Sequence, residues 1–383
     1  MKLISKKLST VATAGALLLG TWASASAEEL KVGVIIAQTG MAANFGKSVS
    51  SAVALWPKEI DGTPVKLIIR DDRSDVTTST TMTRQLITDE KVDVVVGLLL
   101  TPSAVANAPV AEEAQVPYIS TSPVPGAGKW LFDMAVPVSQ NAKMILDRMV
   151  VDGVKTVGMI GYSDTWGDQW IAQLREQGAK LGIEVVADER YARADTSVTG
   201  QALKLISLAP DAVFVAASYA GAAVPVVELR DRGYAGKIYH SNGMERVSYM
   251  NAAGAAGEGV MFATTPFDLA GELPDANPSK AVALEFHEEF KKTYAADVVA
   301  TVNTAQAYDV GRLLIAAVPK AKKIAKVGTP EFHDAMRVAL EQTSVVGSAG
   351  TYEFSADNHY GLSNGSGVIL GTIADGKWTL LAD

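Results

Sequence analysis

The sequence contains no cysteine. Disulfide bonds, thiolate metal sites and cysteine nucleophiles are therefore excluded together, and so is a cysteine that carries a lipid anchor. Histidine is scarce as well, and the four histidines show no spacing typical of metal ligands: His240, His287, His333 and His359. We therefore expect neither a metal nor another cofactor.

An excess of basic residues is also lacking. The chain has 34 Lys and Arg against 42 Asp and Glu, a net charge of −8. Proteins that bind nucleic acids carry a basic surface that neutralises phosphates, so we expect no nucleic-acid partner. The hydrophobic share of 48% and charged share of 20% are those of an ordinary globular protein.

The common enzyme motifs are absent too. We find no nucleophile elbow, no GxxxxGK[ST] phosphate loop, no HExxH pair and no GxGxxG run after Gly33. The adjacent acids Asp71 and Asp72 fit a capping turn better than a catalytic pair. We expect a protein that catalyses no reaction, with an exported hydrolase as a distant alternative. A sensor domain is disfavoured because no transmembrane segment or DNA-binding helix pair accompanies the chain.

The amino terminus has the layout of a secretory signal peptide. Three lysines (Lys2, Lys6 and Lys7) precede an apolar stretch at residues 11–20, and small residues end the segment at Ala27. The apolar stretch is about half as long as the ~20 residues needed to cross a bilayer. We predict cleavage after Ala27 and a soluble periplasmic protein.

Residues 28–383 exceed what one hydrophobic core usually supports, which predicts two domains. Apolar runs at 30–37, 65–70, 92–100 and 116–120 alternate with helical patterns at 48–59, 79–89 and 103–114. The series restarts with apolar runs at 154–161, 184–187, 212–217, 237–240 and 257–263, separated by helical patterns at 168–181, 200–208 and 222–232. Apolar strands separated by helices indicate a parallel sheet covered on both faces.

The fold class that follows is α/β, with two similar doubly wound lobes joined by a multi-strand hinge. Three helical patterns, at 278–294, 303–318 and 330–342, return to the first lobe, and a hairpin at 367–381 turns at Asp375-Gly376. We predict an N-terminal lobe of residues 28–147 and 277–355, and a C-terminal lobe of 148–276 and 356–383.

Polar side chains follow two strands of the first lobe. Thr101, Pro102 and Ser103 stand where a strand ends and a helix begins; threonine suits the N-cap and proline the first helical position. Free N–H groups at such a helix end bind carboxylates. Ser120 and Ser122 follow the next strand, and ligands in open α/β sheets bind beyond the carboxyl ends of strands. The alternatives are plain helix capping and an ordinary polar turn.

The ordered motifs resemble the opening and the ligand loops of type I periplasmic binding proteins, in particular the leucine/isoleucine/valine-binding receptors of ABC transporters. The matching segments are 31–40 (KVGVIIAQTG), 44–46 (NFG), 70–72 (RDD), 96–97 (VG), 101–103 (TPS), 116–122 (VPYISTS), 162–167 (YSDTWG) and 305–309 (AQAYD). Each segment alone is weak, whereas the ordered set covers nearly the whole mature chain. The resemblance implies a solute-binding receptor that delivers its ligand to a membrane permease, and we expect a monomer.

The resemblance adds candidates for the ligand's apolar body. Phe45 and Trp166 each precede a glycine in a loop between strand and helix, one per lobe, where the family places aromatic walls. Without the resemblance, a loop aromatic is more often a hydrophobic plug. Ser218 and Tyr219 follow the strand at 212–217 and should face the same cleft from the second lobe.

One departure bears on the ligand's other end. Branched-chain amino-acid receptors carry an acid after the strand at 237–240 that pairs with the ligand's ammonium group, and here Asn242 takes that place, with Glu245 three residues on. An unpaired buried ammonium costs several kcal/mol. The resemblance favours a branched-chain or related amino acid; an aromatic or aliphatic carboxylate or an amide without an ammonium group is the alternative.

Overall fold

The computed structural model describes residues 28–381 except 99, 127, 219, 220, 296 and 297. The predicted signal peptide and the candidate Tyr219 therefore lie outside the described residues. Within the described part, none of the helices combines the length and the apolar character needed to span a bilayer.

The first lobe is built on a six-stranded sheet in the order β2-β3-β1-β4-β5-β6. Its strands are β1 (Leu30–Ile36), β2 (Glu59–Ile60), β3 (Thr63–Asp71), β4 (Val94–Leu98), β5 (Tyr118–Ser120) and β6 (Leu131–Asp133). All neighbours are parallel except the short edge pair β2 and β3. Strand β4 is buried along its whole length, which explains its unbroken apolar sequence.

The second lobe repeats this arrangement in a seven-stranded sheet, in the order β15-β14-β11-β10-β9-β7-β8. Its strands are β7 (Thr156–Tyr162), β8 (Glu184–Tyr191), β9 (Ala212–Ala216), β10 (Lys237–His240), β11 (Met261–Thr264), β14 (Ile369–Ala374) and β15 (Lys377–Leu380). The predicted hairpin is confirmed: β14 and β15 pair antiparallel, and both turn residues, Asp375 and Gly376, have positive φ. Strands β12 (Ser344–Val346) and β13 (Thr351–Glu353) form a separate pair that the sequence did not predict.

Helices cover the sheets. They are α1 (Ala43–Ala54), α2 (Val76–Thr88), α3 (Thr101–Ala114), α4 (Val138–Val151), α5 (Thr165–Leu181), α6 (Thr199–Leu208), α7 (Val224–Asp231), α8 (Arg246–Ala253), α9 (Pro278–Thr293), α10 (Val302–Lys322) and α11 (Pro330–Glu341). Helix α10 packs against α1 and α11, so the chain does return to the first lobe as predicted. Helices α4 and α8 were not predicted.

The residue ranges predicted for the two lobes remain a proposal. Contacts of two segments argue for different boundaries. Helix α4 packs against α5, β11 and β14, so it lies with the second sheet instead of being divided at residue 147. Tyr360 bridges to Asp133 of β6, so the segment around residue 360 lies with the first sheet. The chain passes to the second lobe after β6, returns after β11 and passes over again before β14, and these connections form the predicted hinge.

Candidate functional site

A cavity lies between the lobes, at the carboxyl ends of strands from both sheets. Such an edge is where open α/β sheets bind ligands. Seven of the predicted residues line this cavity: Phe45, Thr101, Ser122, Trp166, Ser218, Asn242 and Glu245. Pro102, Ser103 and Ser120 do not line it.

The first wall includes the amino terminus of α3. Leu100 is the N-cap, with an extended backbone, and Thr101 is the first helical residue; this corrects the prediction of Thr101 as the cap. Thr101 is buried against the cavity, and Pro102, at the second helical position, has no N–H to offer. The N–H groups of a first helical turn lack intrahelical partners, so this wall presents donors.

Ser120 and Ser122 have different roles in the next loop. The Ser120 hydroxyl donates to the Ser122 carbonyl oxygen over 2.7 Å and accepts from the Ser122 N–H over 3.1 Å. Ser120 therefore fixes the turn after β5, and Ser122, with its neighbour Thr121, lines the cavity.

Ser103 faces away from the cavity. Two residues along an α-helix lie about 200° around its axis, so Thr101 and Ser103 point to opposite sides of α3. Ser103 lines a separate small cavity with Asp72, Asn107 and Tyr118. The prediction that Thr101 and Ser103 act together on one ligand group is therefore wrong in its geometry.

The aromatic walls come from both lobes, but from helices. Phe45 lies in the first turn of α1, and Trp166 in the first turn of α5. The expectation of loop aromatics is corrected because Asp164 caps α5 earlier than predicted, accepting from the N–H groups of Trp166 (3.0 Å) and Gly167 (3.3 Å). Trp166 is 6% exposed, and its buried indole N–H has no hydrogen-bond partner among the described residues.

Arg193 is a lining residue that sequence reasoning missed. Strand β8 runs to Tyr191, four residues beyond its predicted end, so Arg193 stands just after the carboxyl end of a strand. Its Nε donates to Asp164 over 2.5 Å and its Nη1 to the Ser218 hydroxyl over 2.9 Å. Its guanidinium lies 4.2 Å from the centre of the Tyr162 ring. The sequence pattern predicted that this strand ends at residue 187, so it gave no reason to place Arg193 at the end of a strand.

The amino terminus of α10 was missed too. Thr301, Val302, Asn303 and Gln306 line the cavity from the first lobe. Thr301 is the N-cap of α10, and Thr301 and Thr304 each accept from the other's backbone N–H through their hydroxyls. A threonine pair at this spacing is a weaker sequence signal than the usual Ser/Thr with Glu/Gln.

Asn242 and Glu245 lie on the second lobe after β10. The Asn242 side-chain oxygen is buried and has no hydrogen-bond partner among the described residues. Glu245 caps α8: its two carboxylate oxygens accept from the N–H groups of Val247 (3.1 Å) and Ser248 (2.8 Å). The Glu245 carboxylate thus lines the cavity while it is held on its own helix.

His240, at the end of β10, is structural, as the sequence suggested. It is fully buried, with ring nitrogens 2.9 Å and 3.0 Å from the carbonyl oxygens of Ser241 and Ala222. Burial lowers the pKa of His240 to about 4, so the ring is neutral near pH 7. Within the described residues, no cluster of three or more His, Asp or Glu could hold a metal ion.

The sequence profile of a family described as periplasmic binding protein matches residues 29–368. The chain belongs to this family. The expected fold class and the resemblance to type I periplasmic binding proteins are thereby confirmed. The protein is a solute-binding receptor, and the family is a class of receptors, not of enzymes.

Three relatives illustrate the match. An extracellular ligand-binding receptor from Rhodopseudomonas palustris HaA2 is 38% identical, with a TM-score of 0.88 over 93% of this chain and 100% of that one. An amino acid binding protein of Pseudomonas aeruginosa is 24% identical over 66% of this chain and 70% of its own. A solute binding protein from R. palustris, solved in complex with benzoate, is 22% identical, with a TM-score of 0.78 over 92% and 96%.

Proposed function

We propose that this receptor binds a small carboxylate with an apolar body in the cavity between its lobes, and passes it to an ABC permease. The observation that carries the proposal is one cavity lined from both lobes, with a helix amino terminus at Thr101 and aromatic side chains at Phe45 and Trp166. A ligand that touches both lobes can favour their closed arrangement.

The polar end of the ligand has a matching wall. The first turn of α3 combines free N–H groups with the positive end of a helix dipole, which together favour an anion. The Thr101 hydroxyl and the loop at Thr121 and Ser122 line the same cavity. A carboxylate can accept from several such donors at once.

The apolar body has a wall on each side. Phe45 and Trp166 supply aromatic surface, and Leu100, Val136 and Met244 add aliphatic surface. Aromatic contacts of a well-placed ring contribute about 0.5–1.5 kcal/mol beyond area burial. A sugar or a polyamine would leave this surface poorly matched.

An ammonium group on the ligand would find a weaker partner in this cavity than a carboxylate would. Asn242 is neutral, and both oxygens of Glu245 already accept backbone N–H groups of α8. This favours an aromatic or aliphatic carboxylate without an ammonium group. An amino acid is the second candidate, because Glu245 does line the cavity and one relative is an amino acid binding protein.

Calorimetry with leucine, phenylalanine, benzoate and 4-methylpentanoate separates the two candidates. The proposal expects saturable binding of benzoate or 4-methylpentanoate, and at least tenfold weaker binding of the methyl ester of the tighter acid. Binding of leucine or phenylalanine alone would establish the second candidate. Equal affinity for an acid and its ester would refute carboxylate recognition.

We propose further that the precursor is cleaved after Ala27 and that the mature protein is a periplasmic monomer. The small residues at 25–27 support the cleavage site, and the family supports the compartment. Mass spectrometry of protein released by osmotic shock should give Glu28 as the first residue. Sedimentation should give the mass of one chain, and retention in the membrane pellet would contradict this location.

A further inference from the structure

Arg193 is the basic residue that lines the cavity in the described part of the chain. Its side chain is 16% exposed and approaches the cavity from the second lobe. Glu245 is the acidic residue on the same cavity lining. The charge that a ligand meets therefore depends on how far each of these two groups is neutralised by its own surroundings.

Arg193 is held by three side chains, and within the described residues its donors are not all used. Asp164 accepts from Nε, Ser218 accepts from Nη1, and the Tyr162 ring lies against the guanidinium plane. The Tyr162 hydroxyl donates to the Ser218 carbonyl oxygen over 2.7 Å, which fixes that ring in turn. Among the described residues no acceptor is found for Nη2. A guanidinium carries five N–H donors in a fixed fork, so donors are left for a ligand.

Asp164 forms an ion pair with Arg193, but it also caps a helix. Its Oδ1 accepts the N–H groups of Trp166 and Gly167 at the amino terminus of α5, and Oδ2 accepts from Arg193. The positive helix end shares this carboxylate with the guanidinium. Glu245 is compensated in the same way by α8. The helix ends thus offset both acids, and the arginine is left attractive to an anion.

We propose that Arg193 is the specificity-determining residue of the site, and that its guanidinium donates hydrogen bonds to the ligand's carboxylate from the side opposite Thr101. The carboxylate then bridges the helix terminus of the first lobe and the guanidinium of the second. This inference rests on the proposed carboxylate ligand. It adds that Arg193 is the residue that makes tight binding depend on the negative charge of the ligand. Asp164, Ser218 and Tyr162 are positioning residues for Arg193.

The test compares each acid with its own methyl ester, because the two share a body and differ in charge. The pairs are benzoate, 4-methylpentanoate and leucine with their methyl esters, measured by calorimetry on the mature protein. For the tightest acid, wild type should prefer the acid by roughly 10- to 100-fold, the value of a hydrogen bond to a charged group. Arg193→Met should bring the ratio to within about threefold and leave ester affinity unchanged. Arg193→Lys, which keeps the charge and loses the fork, should give an intermediate ratio.

Arg148→Met is the matched control, because Arg148 is similarly buried, also donates through Nε to an aspartate and does not line the cavity. It should keep the wild-type ratio. An unchanged ratio in Arg193→Met, or an equal loss of acid and ester, would overturn the inference and leave the proposed function standing. No preference for any acid in wild type would overturn the proposed function itself, and the inference with it.

Discussion

Thr101 and Ser103 allow a sharp comparison at the scale of single residues. They stand two positions apart on α3, yet only Thr101 lines the ligand cavity. We predict that Thr101→Ala weakens carboxylate binding about tenfold, since a hydrogen bond to a charged group contributes ~1.5–3 kcal/mol. Ser103→Ala should leave the Kd unchanged. Calorimetry on both variants tests this, and a larger effect of Ser103→Ala would refute the assignment of the two faces.

His240 should make stability depend on pH. Burial lowers its pKa from 6.5 to about 4, so between these values the unfolded chain binds a proton that the folded protein does not. Stability is therefore fully present above pH 6.5 and falls as pH decreases toward 4, by up to about 3 kcal/mol from this group. We predict that His240→Gln flattens the urea-unfolding free energy across this range.

Three buried acids change stability over an overlapping pH range with opposite sign. Burial raises the pKa of Asp268 and that of Asp309 to about 6, and that of Asp133 to about 8, so each contributes a loss of stability as pH rises from about 4 toward its raised pKa. All three acids are present in wild type and in His240→Gln, and the difference between the two curves isolates the histidine. Parallel curves would show that His240 does not titrate in this way.

The sequence predicts the role of a single residue where the residue type and its neighbours are sufficient evidence. A threonine and a proline after a strand, or a serine after the next strand, identify a loop from local chemistry alone. Arg193 could not be found in this way, because its importance depends on where β8 ends and on its contacts with Asp164 and Ser218. Those partners lie 29 and 25 residues away in the sequence.

At the scale of elements, Glu245 links a helix to the choice of ligand. Glu245 caps α8 with both carboxylate oxygens. We predict that Glu245→Ala lowers the free energy of unfolding by about 1 kcal/mol through loss of the cap, and leaves affinity for benzoate or 4-methylpentanoate within about threefold. Asp75→Ala, which removes the cap of α2 far from the cavity, is the control for stability alone. A loss of carboxylate binding confined to Glu245→Ala would contradict the prediction.

Element boundaries explain most differences between prediction and structure. Helix α1 begins at Ala43, five residues before its predicted start, and α5 begins at Thr165 because Asp164 supplies the cap. These shifts move Phe45 and Trp166 from loops into first helical turns. Helix α4 was not predicted because its apolar side is defined only by packing on α5 and the second sheet.

At the scale of the whole molecule, the two-lobed architecture was predictable because the pattern of apolar runs and helices occurs twice. Each strand that is buried on both faces carries its own signal. The boundaries of the lobes were harder to predict, since α4 follows the strands of the first sheet in the sequence but packs on the second sheet. Contacts between distant segments decide that placement, and no local pattern records them.

The last prediction concerns closure of the two lobes. The cavity is lined from both lobes, and the connections after β6, after β11 and before β14 are the segments about which the lobes can turn. Hinge closure around a ligand is the motion typical of periplasmic binding proteins. We predict that a saturating carboxylate lowers the radius of gyration in small-angle scattering. If Arg193 and Thr101 hold the carboxylate from opposite lobes, the methyl ester should compact the protein less than the acid at equal occupancy, because it links the lobes less strongly. Arg193→Met should remove that difference between acid and ester. An unchanged radius of gyration at saturation would refute closure, and equal compaction by acid and ester would refute the carboxylate as the link between the lobes.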